Sequence, residues 1–509
     1  MSRKENIKRN LTFNMIKYVV QLILQFVLRT CMIYILGAEY LGLNGLFTNI
    51  FGFLSLAELG IGNAIVFSMY KPIADGDTEK VKALQNLYKK FYFVITTIVF
   101  VVGLAILPFL KFFINGEVGV DINIYVLYIF YLINTLIGYI SANKRSLLFA
   151  HQRNDVENKI KTICLLLMTI VQIAVLVVFK NYYIFFVVNI LFTAIECAII
   201  DKSARKLFPD IHGKSQPIDK ETSQEIKKNV VALSLHRVGW VLVCSTDNIL
   251  ISAILGLTLL GAYSNYYLVV SSVIAIFTLL TSSLTGSVGN LIASTDKEYV
   301  EARFKQINIL LSLFTSFCTI CMLCLFQPFV QVWTGGGIYL LKFSSVILLC
   351  VSFYLGRMRT VINIFKDGAG LFYQNRISPI IEAVVNLVTS IILGLWLGLN
   401  GIILGTIIST MVAPFWSEPF VLYKHYFKKS VWEYYKTFIR DAIIMLVAGV
   451  ACYVICSFLP VGGIWWLILR FVVCIALCTI LLCALYAPTK DFKDIVKSVK
   501  NKLKSFRKK

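Results

Sequence analysis

The sequence predicts an all-α polytopic membrane protein with about fourteen transmembrane helices, two six-helix bundles followed by a C-terminal pair. Three observations carry this reading. Of the 509 residues, 58% are hydrophobic and the mean hydropathy is +0.77, whereas a soluble domain is roughly half apolar. Apolar runs of about twenty residues, each long enough for a hydrocarbon core of about 30 Å, recur along the whole chain. The chain also overlays on itself when shifted by 219 residues. A β-barrel would instead show alternating segments of about ten residues.

The spans are expected at 11–36, 41–70, 91–114, 122–149, 157–180, 182–205, 229–256, 258–285, 304–329, 342–366, 376–398, 400–424, 438–459 and 463–487. The first is read as a retained span. Its apolar run is too long for a signal-peptide core, and no small-residue cleavage site follows. Segments 71–90, 206–228, 286–303 and 425–437 read as polar or amphipathic connectors. With the N-terminus inside, inner loops and tails collect most of the 49 Lys and Arg residues, and outer loops hold only Lys111, Lys180 and Lys342. One missed helix would invert every later loop, so this bias supports the span count and places both termini in the cytoplasm. Trp333, Trp396, Trp465 and Trp466 fall near outer span ends, as interface anchors do. The net charge of +22 follows from the same loop bias, and no nucleic-acid motif accompanies it. The basic tail 488–509 suits lipid headgroups.

The thirteen cysteines fall inside the expected spans, so no disulfide framework is implied. Cys318, Cys321 and Cys324 in "CTICMLC" have metal-like spacing. With no His or carboxylate nearby in sequence, they read as small apolar packing residues, and no metal site is expected.

In the 219-residue shift, "KRNLTFNMIK…YILGAEYLG" from Lys8 lies over "KKNVVALSLH…AILGLTLLG" from Lys227. Gly37 meets Gly256, and Leu41 and Gly42 meet Leu260 and Gly261. This divides the chain into an N-terminal lobe at 1–206, a linker at 207–228, a second lobe at 229–424, two extra helices within 425–487 and the tail. Six spans per copy is an even number, so the copies share an orientation, as in transporters with parallel repeats and a central binding cavity.

The polar residues inside the spans suggest what binds. In "FNMIKYVVQLILQFVLRTCMIYIL", Lys17, Gln21, Gln25 and Arg29 recur every four residues and form one stripe. Lys17 and Arg29 are about 18 Å apart along the axis. Either they line a wet cavity, or Lys17 snorkels to one interface and Arg29 to the other; snorkelling leaves the amides between them unexplained. The second span offers Asn44, Asn49, Glu58 and Asn63. The seventh, "LHRVGWVLVCSTDNILIS", offers His236, Arg237, Asp247 and Asn248; His236 falls on Lys17 in the repeat, and Asn248 on Arg29. His236 is either a cavity residue or a core histidine. Asp247 either pairs with an arginine or takes up a proton or Na⁺, the other candidate coupling group being Glu58. Asn265 in "GAYSNYY" belongs to the eighth span, and Arg357 and Arg359 in "FYLGRMRTVIN" to the tenth. The intramembrane charge is positive on balance. Such a pocket suits an anionic group such as phosphate or diphosphate, while amides suit sugar hydroxyls.

The stretches "LGAEYLGLNGLFTNIFGFLSLAELGIGNAIVFSMYKPIADGDTEKVKAL", "STDNILIS" with "GAYSNYY", and "FKDGAGLFYQNRISPIIEAVVNL" resemble the bacterial polysaccharide repeat-unit flippases of the O-antigen and capsule type. These belong to the multidrug/oligosaccharidyl-lipid/polysaccharide exporter superfamily. The resemblance implies a V-shaped, two-lobed fold in the cell membrane. It implies movement of undecaprenyl-diphosphate-linked oligosaccharides from the inner to the outer leaflet by alternating access, coupled to a proton or Na⁺ gradient or to membrane potential, with no cofactor. The matching cavity positions are Lys17, Arg29, Arg237 and Arg357. The implied partners are the lipid-linked oligosaccharide, membrane lipids, and the polysaccharide polymerase and glycosyltransferases of the same assembly. Two other functions stay open: a multidrug exporter of the same superfamily, whose cationic substrates would call for carboxylates, and a membrane polymerase or ligase, which the short outer loops disfavour.

Overall fold

The computed structural model describes residues 3–58, 61–116, 118–211, 213, 218, 245–489, 492–494 and 497. Among them there is no strand. In chain order the helices are α1 (Arg3–Ile35), α2 (Ala38–Leu54), α3 (Ile61–Asp75), α4 (Thr78–Ile106), α5 (Ile124–Ile140), α6 (Ala142–Ala150), α7 (Asn154–Phe179) and α8 (Tyr182–Leu207), then α9 (Ser245–Leu255). They continue with α10 (Leu257–Ser294), α11 (Lys297–Thr334), α12 (Phe343–Met358), α13 (Thr360–Gly368), α14 (Ser378–Leu397), α15 (Leu399–Val412), α16 (Pro414–Leu422), α17 (Trp432–Ser457) and α18 (Ile464–Tyr486).

Among the described residues, twelve helical segments are long and apolar enough to cross a membrane, some of them formed by two consecutive helices such as α5 with α6 and α12 with α13. The chain is a multi-pass membrane protein. In hydrocarbon every backbone polar group must be satisfied internally, which leaves the helix as the spanning form here. Side chains obey the same constraint. The hydroxyls of Thr30, Thr96, Thr135 and Thr169 donate to the carbonyl four residues back. Helix starts are capped by short polar side chains. Asp77 accepts from the Lys80 amide at 2.9 Å, Asn123 from Tyr125 and Val126, and Asn181 from Tyr183 and Ile184.

Twelve of the fourteen expected spans have counterparts among these segments; the second and seventh do not. The expected span 41–70 is not one helix. It is α2, a 3₁₀ turn at Ser55–Glu58, and α3, with residues 59 and 60 outside the described set. The seventh expected span is described only from Ser245, as α9. Two connectors are also shorter than expected. At 71–90, α3 runs to Asp75 and α4 begins at Thr78; at 286–303, α10 and α11 are separated only by Thr295 and Asp296. Polar composition marked these stretches as connectors, yet helix fills most of each: α3 accommodates Pro72, and the helices are interrupted only at Gly76 and Asp77 and at Thr295 and Asp296.

By packing, the chain divides into two compact units, Met1–Gly261 and Ala262–Lys509. The expected linker at 207–228 lies largely outside the described residues. In the first unit α1 packs along α7, α7 along α8, and α5 along α8. In the second, α11 packs on α12, α17 and α18, and α14 on α15.

The first unit contains a contact that repeats itself at 219 residues. Gly37 and Gly256, which precede α2 and α10, both have positive φ, 93° and 89°. A Cβ on Gly42 would overlap the backbone carbonyl of Leu257, and one on Gly261 would overlap that of Ala38. Ala38 and Leu257 are themselves equivalent in the repeat. So are Glu39 and Thr258, and the Thr258 hydroxyl donates to Glu39 Oε1 at 3.5 Å. Only glycine allows so close an approach, the small-residue packing common between membrane helices. Gly42→Ala and Gly261→Ala are each expected to destabilise the protein by about 1–3 kcal/mol, the cost of overpacking. Gly45→Ala, whose new methyl would meet only Leu260 at 3.7 Å or more, serves as the tolerated control. Thermal unfolding in detergent distinguishes the three variants, and equal melting of all three would refute the close crossing.

Candidate substrate path along the first helix

The polar stripe of α1 lies in the first unit, where Lys17, Gln21 and Arg29 are half-buried and Gln25 is exposed. At its N-terminal end α1 is tied to α7 by polar contacts. Arg9 pairs with Asp155 at 3.1 Å, and Arg153 pairs with the same carboxylate at 3.2 Å. The Asn158 amide donates to Asn14 Oδ1 at 2.9 Å.

Beyond this tie, Lys17 stands within electrostatic reach of Lys161, Glu157, Glu196 and Arg145. Lys161 pairs with Glu157 at 2.7 Å, one turn away on α7. Arg145 on α6 pairs with Glu196 on α8 at 2.8 Å. The two carboxylates are thus each matched by a cation, and Lys17 adds one positive charge to a group that is otherwise neutral. In a half-buried setting such a charge is screened weakly.

At the other end of the stripe, Arg29 is within electrostatic reach of Tyr131 and Tyr182. The Tyr131 hydroxyl donates to Asn44 Oδ1 at 2.6 Å. With that proton committed, Tyr182 is the donor in the 3.2 Å contact between the two hydroxyls. Tyr40 packs edge-on against Tyr182 with ring centroids 5.3 Å apart. Phe47, Phe51 and Phe186 enclose Tyr131. The upper end of the stripe is therefore a guanidinium within electrostatic reach of a chain of hydroxyls and an amide, held by aromatic packing.

The other sequence candidates are dispersed. Asn49 donates back to Gly45 of its own helix at 2.8 Å. Glu58 sits in the 3₁₀ turn after α2, within electrostatic reach of Tyr88 and Tyr92. Asn63 is on α3, its side chain outside the described set, and His236 and Arg237 lie outside the described residues altogether. Asp247 and Asn248 are on α9, with Asn248 buried. Asn265 is wholly buried in α10, and Arg357 occupies the last turn of α12.

Arg359, a cavity candidate in the sequence, has carboxylate partners in the structure. It sits at the break between α12 and α13, with its guanidinium forked onto Glu418 of α16 at 2.7 and 2.8 Å and reaching Glu382 of α14 at 3.2 Å. Lys366 adds a contact to Glu418 at 3.9 Å. Its charge is matched inside the second unit by two carboxylates that are remote in sequence, so it ties three elements together.

Sequence reasoning did not single out Glu157, Glu196, Arg145, Lys161, Tyr131 or Tyr182. One of these carried a signal: Glu196 in "TAIECAII" is a carboxylate inside an apolar run, and such residues face a partner or a wet cavity. The tyrosines carried none, because aromatic residues recur throughout the spans.

The family model for polysaccharide biosynthesis proteins matches residues 7–285, more than half of the chain. No curated protein sequence matches it. Among solved structures, the lipid II flippase MurJ in its inward closed conformation superposes with a TM-score of 0.68 at 13% identity, covering 94% of this chain and 99% of MurJ. An inward-facing multidrug resistance MATE transporter of the MOP superfamily matches with a TM-score of 0.62 at 15% identity, over 78% of this chain and 93% of its own. A Vibrio cholerae MATE transporter matches at 0.57 and 12%, over 84% and 98%. At these identities the likeness concerns the fold, and it is the fold that the sequence resemblance implies.

Proposed function

Because the chain belongs to the polysaccharide biosynthesis protein family, we propose that it is a flippase, not an enzyme. It carries undecaprenyl-diphosphate-linked oligosaccharide repeat units from the inner to the outer leaflet of the cell membrane. The observation that carries this reading is the stripe on α1. An added positive charge stands at Lys17, a guanidinium within electrostatic reach of a hydrogen-bonded chain stands at Arg29, and two amides lie between them. A diphosphate finds cationic donors at either end, and sugar hydroxyls find amide and tyrosine partners along the way. The structural likeness to a protein described as a lipid II flippase supports a lipid-linked substrate of this kind.

Both termini are cytoplasmic on this reading, as the basic loops favour. Transport proceeds by alternating access, driven by membrane potential or by a proton or Na⁺ gradient. Asp247 and Glu58 are the coupling carboxylates proposed from sequence, and Glu196, paired with Arg145 next to Lys17, joins them. The polymerase and glycosyltransferases of the same assembly are its functional partners.

The test is deletion of the gene followed by localisation of lipid-linked oligosaccharide. Complete repeat units accumulating on the inner leaflet, with rescue by wild type, are the expected result. Outward movement that continues in the deletion strain, in the absence of a redundant transporter, would overturn the flippase reading and make multidrug export the next function to assay.

A further inference from the structure

The second unit contains a thiol cluster that serves no step of the proposed transport. Each of three helices presents two cysteines about one turn apart: Cys321 and Cys324 on α11, Cys452 and Cys456 on α17, and Cys474 and Cys478 on α18. All six meet in one seam. The Sγ atoms of Cys324, Cys456 and Cys474 lie within 4.8 Å of one another, and these residues are at most 2% exposed. Cys321 is within interaction range of Cys474 and Cys478, and Cys452 of Cys478.

We propose that Cys324, Cys456 and Cys474 bind a thiophilic d¹⁰ cation, Zn²⁺ or Cu⁺, which clamps α11 to the C-terminal pair α17 and α18. A metal–sulfur bond of about 2.3 Å in a tetrahedral site separates sulfurs by about 3.8 Å. The observed separations therefore need to close by no more than about 1 Å, within reach of small χ1 adjustments. Soft thiolates select this class of cation over hard ions such as Mg²⁺ or Ca²⁺.

Charge is the obstacle in a membrane interior, and the seam contains a counter-charge. Binding of Zn²⁺ releases one proton from each of the three thiols, so a Zn²⁺ tris-thiolate carries one negative charge. Arg470 is buried one turn before Cys474, within electrostatic reach of Cys456, and donates to the Leu459 carbonyl. Its guanidinium brings the Zn²⁺ assembly to neutrality, while a Cu⁺ ion on two of the three thiolates, with the third thiol still protonated, reaches the same balance. Apolar packing alone does not call for paired thiols on three separate helices.

The experiment uses the full chain in detergent, loaded with Zn²⁺ or with Cu⁺ under reducing conditions, desalted, and measured for metal by mass spectrometry. The wild type and Cys164→Ala, a buried cysteine of the first unit, are expected to retain about one metal per chain. The triple variant Cys324→Ala, Cys456→Ala, Cys474→Ala should retain less than about a tenth of that. Retention in the zinc arm or in the copper arm identifies the cation. Co²⁺ loading of the wild type should give a thiolate charge-transfer band, a readout independent of whether the triple variant folds. Wild type that keeps no metal in either arm and shows no such band, or that emerges with these thiols joined as disulfides after reducing purification, overturns the proposal.

Discussion

Arg29→Ala is expected to lower outward movement of the lipid-linked sugar about tenfold to a hundredfold, with little change in thermal stability. A hydrogen bond to a charged group contributes about 1.5–3 kcal/mol, and each 1.4 kcal/mol is about a factor of ten. Arg29 meets the conditions for the full effect. It is half-buried, it lies within electrostatic reach of Tyr131 and Tyr182, and its fork can take two oxygens of a diphosphate at once. Arg29→Lys keeps the charge and loses the fork, so its transport should fall between wild type and alanine. Lys17→Ala should lower transport less, because an ammonium is a point charge that lacks the two-pronged fork of Arg29. The measurement is the rate at which labelled lipid-linked oligosaccharide becomes accessible on the outer leaflet, at matched expression. Wild-type transport by Arg29→Ala would take this end of the stripe out of the path.

The largest stability effect is expected at Glu418. Glu418→Gln keeps the shape of the side chain and removes its charge, leaving Arg359 and Lys366 with Glu382 as their remaining charged neighbour in this cluster, apart from the exposed Asp367 at 3.8 Å from Lys366. Breaking a buried ion pair by removing one partner costs about 3–5 kcal/mol, because the other charge stays desolvated. Glu418→Gln should therefore melt well below wild type in detergent or fail to accumulate. Adding Arg359→Met should recover part of the loss, since the cation no longer needs its partner; the size of the recovery measures the coupling. Glu418→Gln melting with wild type would mean that the cluster is hydrated and of little structural weight.

Much of this architecture was legible in the chain. Apolar runs located twelve spanning segments because the bilayer imposes a length that composition reveals directly. The 219-residue repeat was visible as Gly37 over Gly256 and Gly42 over Gly261, and the structure supplies the reason these glycines recur: both pairs mark places where a side chain would strain the backbone or strike a carbonyl. The stripe on α1 needed only the helical period. Span two was less legible. The run is apolar enough to read as one span despite Asn44, Asn49, Glu58 and Asn63, and no proline marks the 3₁₀ turn at Ser55–Glu58. Connector lengths were overestimated because a polar helix extending past the hydrocarbon reads, one residue at a time, like a loop.

By itself the sequence determined the class of protein, its repeat and the presence of cations in the membrane, since each depends on composition or on spacing along one helix. Which charges are matched was decided only by tertiary structure. Arg359 read as a cavity cation until α14 and α16 brought Glu382 and Glu418 to it, and Lys17 stood alone until α6, α7 and α8 placed two ion pairs beside it. The cysteines follow the same rule. "CTICMLC" supplies only Cys324 to the group of three, and the thiols of Cys456 and Cys474 come from helices more than a hundred residues away. Hydrogen bonds and ion pairs join groups a few ångströms apart in space, and distance along the chain carries no record of that proximity.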